Sequence, residues 1–155
     1  MFIGKIVFAL LFASCGDDVR CGPKHARVRY VIDGDTLYTE QNTKVRYLLI
    51  DAPELAHGDK TGECYALESQ QQNEQWVQGK DVRFSYENQC VDIYKRLLAY
   101  VWVGSELINE KLVAQGFARS YLYLGDEQYA THIVEAQRQA KQKKYGLWGA
   151  CRASP

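Results

Sequence analysis

Three short runs hold the residues whose types and spacing could do chemistry. Asp33-Gly34-Asp35-Thr36 is an acidic turn at the end of an apolar strand. Arg46 to Glu54 is a strand that opens with an arginine and ends in two carboxylates, Asp51 and Glu54, around Pro53. Asp35, Asp51 and Glu54 are enough carboxylates for a hard cation, which takes oxygen ligands. A third run, Asp92 to Val101, adds Arg96 just before another apolar strand. Phosphoryl chemistry needs a cation, a placed water and guanidinium groups aimed at growing charge. The set reads as a phosphodiester-cleaving site.

These residues need a scaffold, and the chain supplies one. Strands are expected over 26–32, 36–40, 43–50, 80–86 and 97–103. The first pair turns at Asp33-Gly34, a strong hairpin signal, and the second at Gln41-Asn42. A polar helix over 63–78 stops at Gly79, a short one over 109–115 stops at Gly116, and a long one over 127–145 stops at Gly146. In the long helix Tyr129, Ile133, Ala136 and Ala140 share a face. Lys141, Lys143 and Lys144 suit its C-terminal dipole better than they suit a DNA patch. Five strands with a helix between the third and fourth, then two more helices, predict an α+β fold: a five-stranded OB-fold barrel with three helices.

With 155 residues the chain is long enough for one domain with a real core. Basic and acidic residues balance at 19 each, so no global field attracts a polyanion and any such contact must be local. Aromatic residues make up 12%, including eleven Tyr, a large stacking surface that strand packing also accounts for. Residues 1–14 read as an export signal: Lys5 is their only charge, and the apolar run 6–13 is too short to span a bilayer. Leu11-Phe12-Ala13-Ser14-Cys15 resembles a bacterial lipobox, which makes Cys15 a lipidated first residue and a membrane anchor; plain secretion is the alternative. The expected layout is a signal over 1–14, a tether over 15–25, a domain over 26–149 and a tail over 150–155. Export leaves Cys21, Cys64, Cys90 and Cys151 for two disulfides. Zinc competes, but no C-x-x-C or H-x-x-x-H pair occurs. Of the three pairings, closeness of chain termini favours Cys21–Cys151, with Cys64–Cys90 joining the two catalytic loops.

In order and spacing, residues 31–36, 46–54, the Asp92-x-Tyr94-x-Arg96-x-Leu98 run and Asn109-x-x-Leu112-Val113-x-x-Gly116 resemble the staphylococcal nuclease family from about Ala26 to Trp148. The resemblance implies one Ca²⁺ held by Asp35, Asp51 and the backbone carbonyl of Ala52, where a threonine is common. It implies Glu54 as general base, Arg46 and Arg96 as phosphate clamps, and Tyr94, Tyr121 and Tyr123 lining a nucleotide pocket. Lys60 falls in a loop that approaches nucleic acid. The implied activity is hydrolysis of DNA and RNA by a monomer, with little sequence preference and 3′-phosphate products. Two positions depart from the pattern: Lys95 replaces a glycine and Ile93 a basic residue. With no net positive charge, they imply weaker and more salt-sensitive substrate capture.

Each residue also has a plainer reading. Asp33 and Gly34 are explained by a hairpin turn, and Asp33 receives no metal role. Asp51 could be a strand-end carboxylate, Glu54 a loop glutamate, the arginines surface ion pairs and the tyrosines core. The rival functions are a non-catalytic OB-fold binding module and a structural envelope lipoprotein. Binding modules of this fold lose carboxylates or arginines, whereas here all five positions are filled.

Overall fold

A computed structural model describes residues 21–123 and 127–151; the export segment, Cys15 and the first part of the tether lie outside the described residues. The elements, in order, are β1 (His25–Asp33), β2 (Thr36–Thr39), β3 (Lys44–Tyr47), β4 (Ile50–Asp51), α1 (Ala66–Val77), β5 (Asp81–Ser85), β6 (Leu97–Val103), β7 (Glu106–Leu107), α2 (Ile108–Ala114), β8 (Arg119–Ser120), α3 (Ala130–Lys143) and α4 (Leu147–Ala150). The main sheet runs β3-β2-β1-β5-β6-β7, and a parallel β3–β6 pairing closes its first five strands into a barrel. Long β1 serves two partners, β2 and β5, and its pairing with β2 shifts register twice, which bends it around the barrel. Alternating side chains fill the interior: Val28, Leu37, Val45, Tyr47, Leu98 and Tyr100 are all sealed from solvent. The expected α+β barrel with helices is the observed fold.

The strand expected over 43–50 is broken. β3 stops at Tyr47, Leu49 turns with φ 63°, and β4 resumes to pair with β8. Apolar composition conceals the break, because Leu48, Leu49 and Ile50 are all buried. Two buried asparagines secure the surroundings. Asn109 accepts the Val101 N–H at 2.8 Å and donates to the Leu48 carbonyl at 2.9 Å, fastening the break to β6. Asn73 accepts the Tyr47 hydroxyl at 2.9 Å and donates to the Asp33 carbonyl at 3.1 Å.

Helix α1 is polar by composition, yet Ala66, Ser69, Asn73 and Val77 form a buried face. Its polar members are satisfied, as buried groups must be. Ser69 donates to the Phe117 carbonyl at 2.7 Å, and Gln70 donates to the Ile32 carbonyl at 2.8 Å. The β1–β2 turn therefore rests on α1 through side-chain bonds. Gly34 is needed for this contact and not for turn geometry, since its φ is not positive. An added Cβ would collide with Ser69 Oγ and meet the Ala52 side chain at 2.5 Å.

Both disulfides form, with a different pairing from the expected one: Cys21–Cys90 and Cys64–Cys151 replace Cys21–Cys151 and Cys64–Cys90. The reason lies in the sheet. β1 runs antiparallel to β5, so the residues just before β1 reach the loop that leaves β5, which holds Cys90. Phe84 donates to the Lys24 carbonyl at 2.7 Å, carrying that pairing outward. Cys151 lies instead beside the start of α1, where Tyr65 stacks on Phe117 at 5.6 Å and Leu147 donates to the Gly116 carbonyl at 2.9 Å.

Candidate active site

Arg46 sits at the centre, buried, and the break after β3 is what it binds. Its Nη1 donates to the Tyr47 carbonyl at 2.9 Å and the Ile50 carbonyl at 2.7 Å, groups that an unbroken strand would have paired elsewhere. Its Nη2 meets Asp51 Oδ1 at 2.8 Å and its Nε meets Asp35 Oδ1 at 3.1 Å. Four donor contacts of a five-donor group are thus committed to protein. The expectation of two parallel bonds from Arg46 to a phosphate is not available in this arrangement without release of Asp51.

The same guanidinium brings Asp35 and Asp51 together. Asp35 is buried; its Oδ1 also accepts the Thr36 hydroxyl at 2.9 Å and its Oδ2 accepts the Ala52 N–H at 2.7 Å. Asp33 accepts the Asp35 N–H at 3.0 Å, which fixes the turn and explains Asp33 without a ligand role. Burial pushes the Asp35 carboxyl up to about 7, against the opposing pull of Arg46. Among the described residues no three His, Cys, Asp or Glu side chains converge as a metal cage. Asp35 and Asp51 nevertheless present oxygen only, and beside them the buried Ala52 has a carbonyl that accepts no hydrogen bond from the described residues. Two carboxylates and a free carbonyl fit a hard cation that keeps several other oxygens in its shell.

Glu54 is exposed, and its carboxylate makes no hydrogen bond with described residues. Its backbone is held by Glu63, whose N–H donates to the Glu54 carbonyl at 2.8 Å and whose Oε2 accepts the Glu54 N–H at 3.3 Å. Burial first, then the fields of Asp33 and Asp51, raise the Glu54 carboxyl above its ordinary value. A proton acceptor close to anionic neighbours is a stronger base than an isolated glutamate.

Arg96 is arranged unlike Arg46. Only its Nε is committed, to Asp92 Oδ2 at 2.6 Å, and the two terminal nitrogens have no partner among the described residues. Asp92 organises this turn: its Oδ1 accepts the N–H groups of Tyr94 and Arg96, each at 2.9 Å. Against burial, which would raise it, these bonds hold Asp92 below the usual carboxylate range. Lys95 stands at φ 62°, the left-handed region where a glycine is unstrained and another residue costs about 1–2 kcal/mol. The departure from the family's glycine is therefore a backbone matter.

With that geometry in place, comparison decides the family. A model described as staphylococcal nuclease homologue matches residues 44–150. The chain belongs to the staphylococcal nuclease family. It is 35% identical over 125 residues to the thermonuclease of Staphylococcus hyicus, covering 79% of this chain and 74% of that one. The thermonuclease of Staphylococcus intermedius is 33% identical over 124 residues, with 78% and 74% covered. Endonuclease YncB of Bacillus subtilis is 31% identical over 122 residues, with 76% and 58% covered.

In this staphylococcal nuclease homologue the three expected tyrosines are all exposed. Tyr94 is 73% exposed and lies 5.4 Å from the Arg96 guanidinium, ring face toward it. Tyr121 and Tyr123 cross edge-to-face at 5.2 Å, both about half-exposed, so neither is core. Burial raises the Tyr123 phenol, while Arg46 and Arg96 pull it down, placing it in the field of both arginines. Tyr123 also lines a cavity of about 420 Å³ with Leu48, Leu98, Glu87, Asn88 and Gln89. Ile93 is 87% exposed. Lys60 lies at an exposed loop tip, bridged to His57 and away from the buried cluster.

The residue reading missed several parts of the site. Glu63 stands in the sequence only as the start of a helix and Asp92 as the first residue of a motif, with no sign that the one holds the Glu54 backbone and the other the Arg96 side chain. Ser69 and Asn73 carry a detectable signal, since they sit three and seven residues after Ala66 on the buried face of a helix with few apolar residues.

Proposed function

We propose that this protein is a Ca²⁺-dependent phosphodiesterase that hydrolyses DNA and RNA with little sequence preference. The observation that carries the reading is the pairing of Asp35 and Asp51 on one buried guanidinium, beside two groups whose hydrogen-bonding atoms stay uncommitted among the described residues, the Arg96 terminal nitrogens and the Glu54 carboxylate. Asp35, Asp51 and the Ala52 carbonyl would hold the ion, with Arg46 keeping the two carboxylates side by side. The bound ion would supply Lewis-acid polarisation of a phosphoryl oxygen.

The chain's own residues do the rest. Arg96 offers two parallel N–H bonds to phosphate oxygens, with its Nε anchored on Asp92 and its two terminal nitrogens left for the substrate. Glu54 accepts the proton of the attacking water, which its raised pKa favours. The new P–O bond forms from that water and the ester bond to the 5′ oxygen breaks; the departing oxygen takes a proton from solvent, leaving a 3′-phosphate and a 5′-hydroxyl. Tyr94, Tyr121 and Tyr123 offer faces on which any base can stack, which suits weak sequence preference. We further propose that the domain works outside the cytoplasm as a monomer, held to a membrane through lipid on Cys15.

The direct test incubates purified protein with denatured DNA and with RNA, in Ca²⁺ and in excess chelator. Cleavage in Ca²⁺ that chelator abolishes, and that Asp51→Ala removes, is the expected result. Binding without cleavage would leave a non-catalytic OB-fold module, and full activity in chelator would remove the ion. Mass measurement of the mature N-terminus checks the anchor: acyl mass on Cys15 is expected, and its absence leaves plain secretion.

A further inference from the structure

Each disulfide ends beside a segment that holds one of the two uncommitted groups of the site, Glu54 and Arg96. Cys64 follows Glu63, which grips the Glu54 backbone through its N–H at 2.8 Å and through its Oε2 at 3.3 Å. Across the bond stands Cys151, at the end of α4, whose first residue Leu147 is buried and fastened to the Gly116 carbonyl at 2.9 Å. The loop of Glu54 is thereby joined to the helical layer. On the other side, Cys90 accepts the Leu98 N–H at 2.9 Å and lies two residues before Asp92, which holds Arg96 by both backbone and side chain. Its partner Cys21 packs against the core just ahead of β1. Asp35 and Arg46 need no such aid, because their buried contacts fix each other.

We propose that the disulfides are positioning devices, Cys64–Cys151 for Glu54 and Cys21–Cys90 for Arg96; the proposal rests on the nuclease reading above. A displacement of about 1 Å in a reacting group can lower turnover by about a hundredfold, so a loop that wanders by a fraction of that has a measurable effect. The competing account is bracing alone. Crosslinks spanning 69 and 87 residues restrict the unfolded chain wherever they lie. Bracing appears in Tm and leaves turnover of the folded protein unchanged, so the two accounts separate.

The experiment compares wild type with Cys64→Ser/Cys151→Ser and Cys21→Ser/Cys90→Ser, well below the Tm of each. It measures kcat and KM on denatured DNA in Ca²⁺, and amide hydrogen exchange in the same samples. Each double variant is expected to lose on the order of tenfold in kcat with little change in KM. Exchange should accelerate over residues 54–63 in the first and 90–96 in the second, and not over the buried cluster. Should a double variant fail to fold, Glu63→Ala keeps both disulfides and is expected to lower kcat in the same way. Glu63→Gln, whose amide oxygen can still accept the Glu54 N–H, should restore it. Folded double variants with wild-type kcat and unchanged exchange would overturn the proposal, as would Glu63→Ala matching wild type where the variants do not fold. An inactive wild type would sink the nuclease reading instead, and the exchange data would still decide whether each disulfide holds its segment.

Discussion

Arg46 and Arg96 have identical side chains and different surroundings. Arg46 is buried with contacts to Tyr47, Ile50, Asp35 and Asp51, whereas Arg96 is partly buried, anchored through Nε alone, and keeps its two terminal nitrogens free of hydrogen bonds to the described residues. Lysine can replace the charge of either and the geometry of neither. For Arg96→Lys we expect turnover to fall about a hundredfold or more, with stability changed by about 1 kcal/mol or less. For Arg46→Lys the main loss should be stability, on the order of 3 kcal/mol, because a buried carboxylate and two carbonyls lose their donors. Urea denaturation beside single-turnover cleavage separates the two, and equal effects of both variants on both readouts would contradict the division. A second expectation concerns Asp35, whose carboxyl burial raises to about 7. Without the ion, the folded state keeps a proton that the unfolded chain has released from about pH 4 upward. Stability should therefore fall as pH rises from about 4 to about 7, a window set by the unfolded and folded values. The proposed ion favours the ionised form, so the gain in Tm on adding Ca²⁺ should be larger at pH 7 than at pH 5. A gain that shrinks with rising pH would refute the assignment. The types of these residues were legible in the sequence because carboxylates and arginines at such spacings have few other uses. Their hydrogen-bond allocation was not, because it depends on carbonyls freed at Leu48-Leu49, where an apolar run hides a turn.

At the scale of elements, the site hangs on one contact between the β1–β2 turn and α1. Asn73 and Gln70 hold carbonyls at the end of β1, and Gly34 lets the turn come down on Ser69 and Ala52. Gly34→Ala should cost about 1–3 kcal/mol through overpacking and shift Asp35 with it. Ca²⁺ titration by calorimetry should then show weakened binding even where the variant remains folded. Unchanged affinity would mean that the turn accommodates the methyl group without moving Asp35. Periodicity exposed the five barrel strands and three helices, since each is long enough to show its period. It could not expose β4, β7 and β8, which have two residues each and exist only through their partners. Helix α1 was legible by length and stop signal, while its buried polar face ran against the rule that apolar residues mark the inner side.

Across the whole molecule, charge is balanced and gives no global attraction for a polyanion, so under the proposed function substrate capture would fall to Arg96 and the tyrosines. The disulfides illustrate how global topology escapes local reasoning: antiparallel pairing of β1 with β5 brings Cys21 to Cys90, and helix packing brings Cys151 to Cys64, neither of which a local pattern announces. In the proposed mechanism an exposed glutamate, within the field of Asp33 and Asp51, assists water attack on a phosphodiester. Glu54→Gln keeps shape and hydrogen bonding but removes the proton acceptor. Single-turnover cleavage of denatured DNA at saturating Ca²⁺, with Tm and Ca²⁺ affinity measured alongside, tests the claim most directly. The account predicts a rate lower by roughly two to four orders of magnitude with Tm and affinity nearly unchanged. A rate within a few-fold of wild type would contradict it and leave Glu54 a bystander.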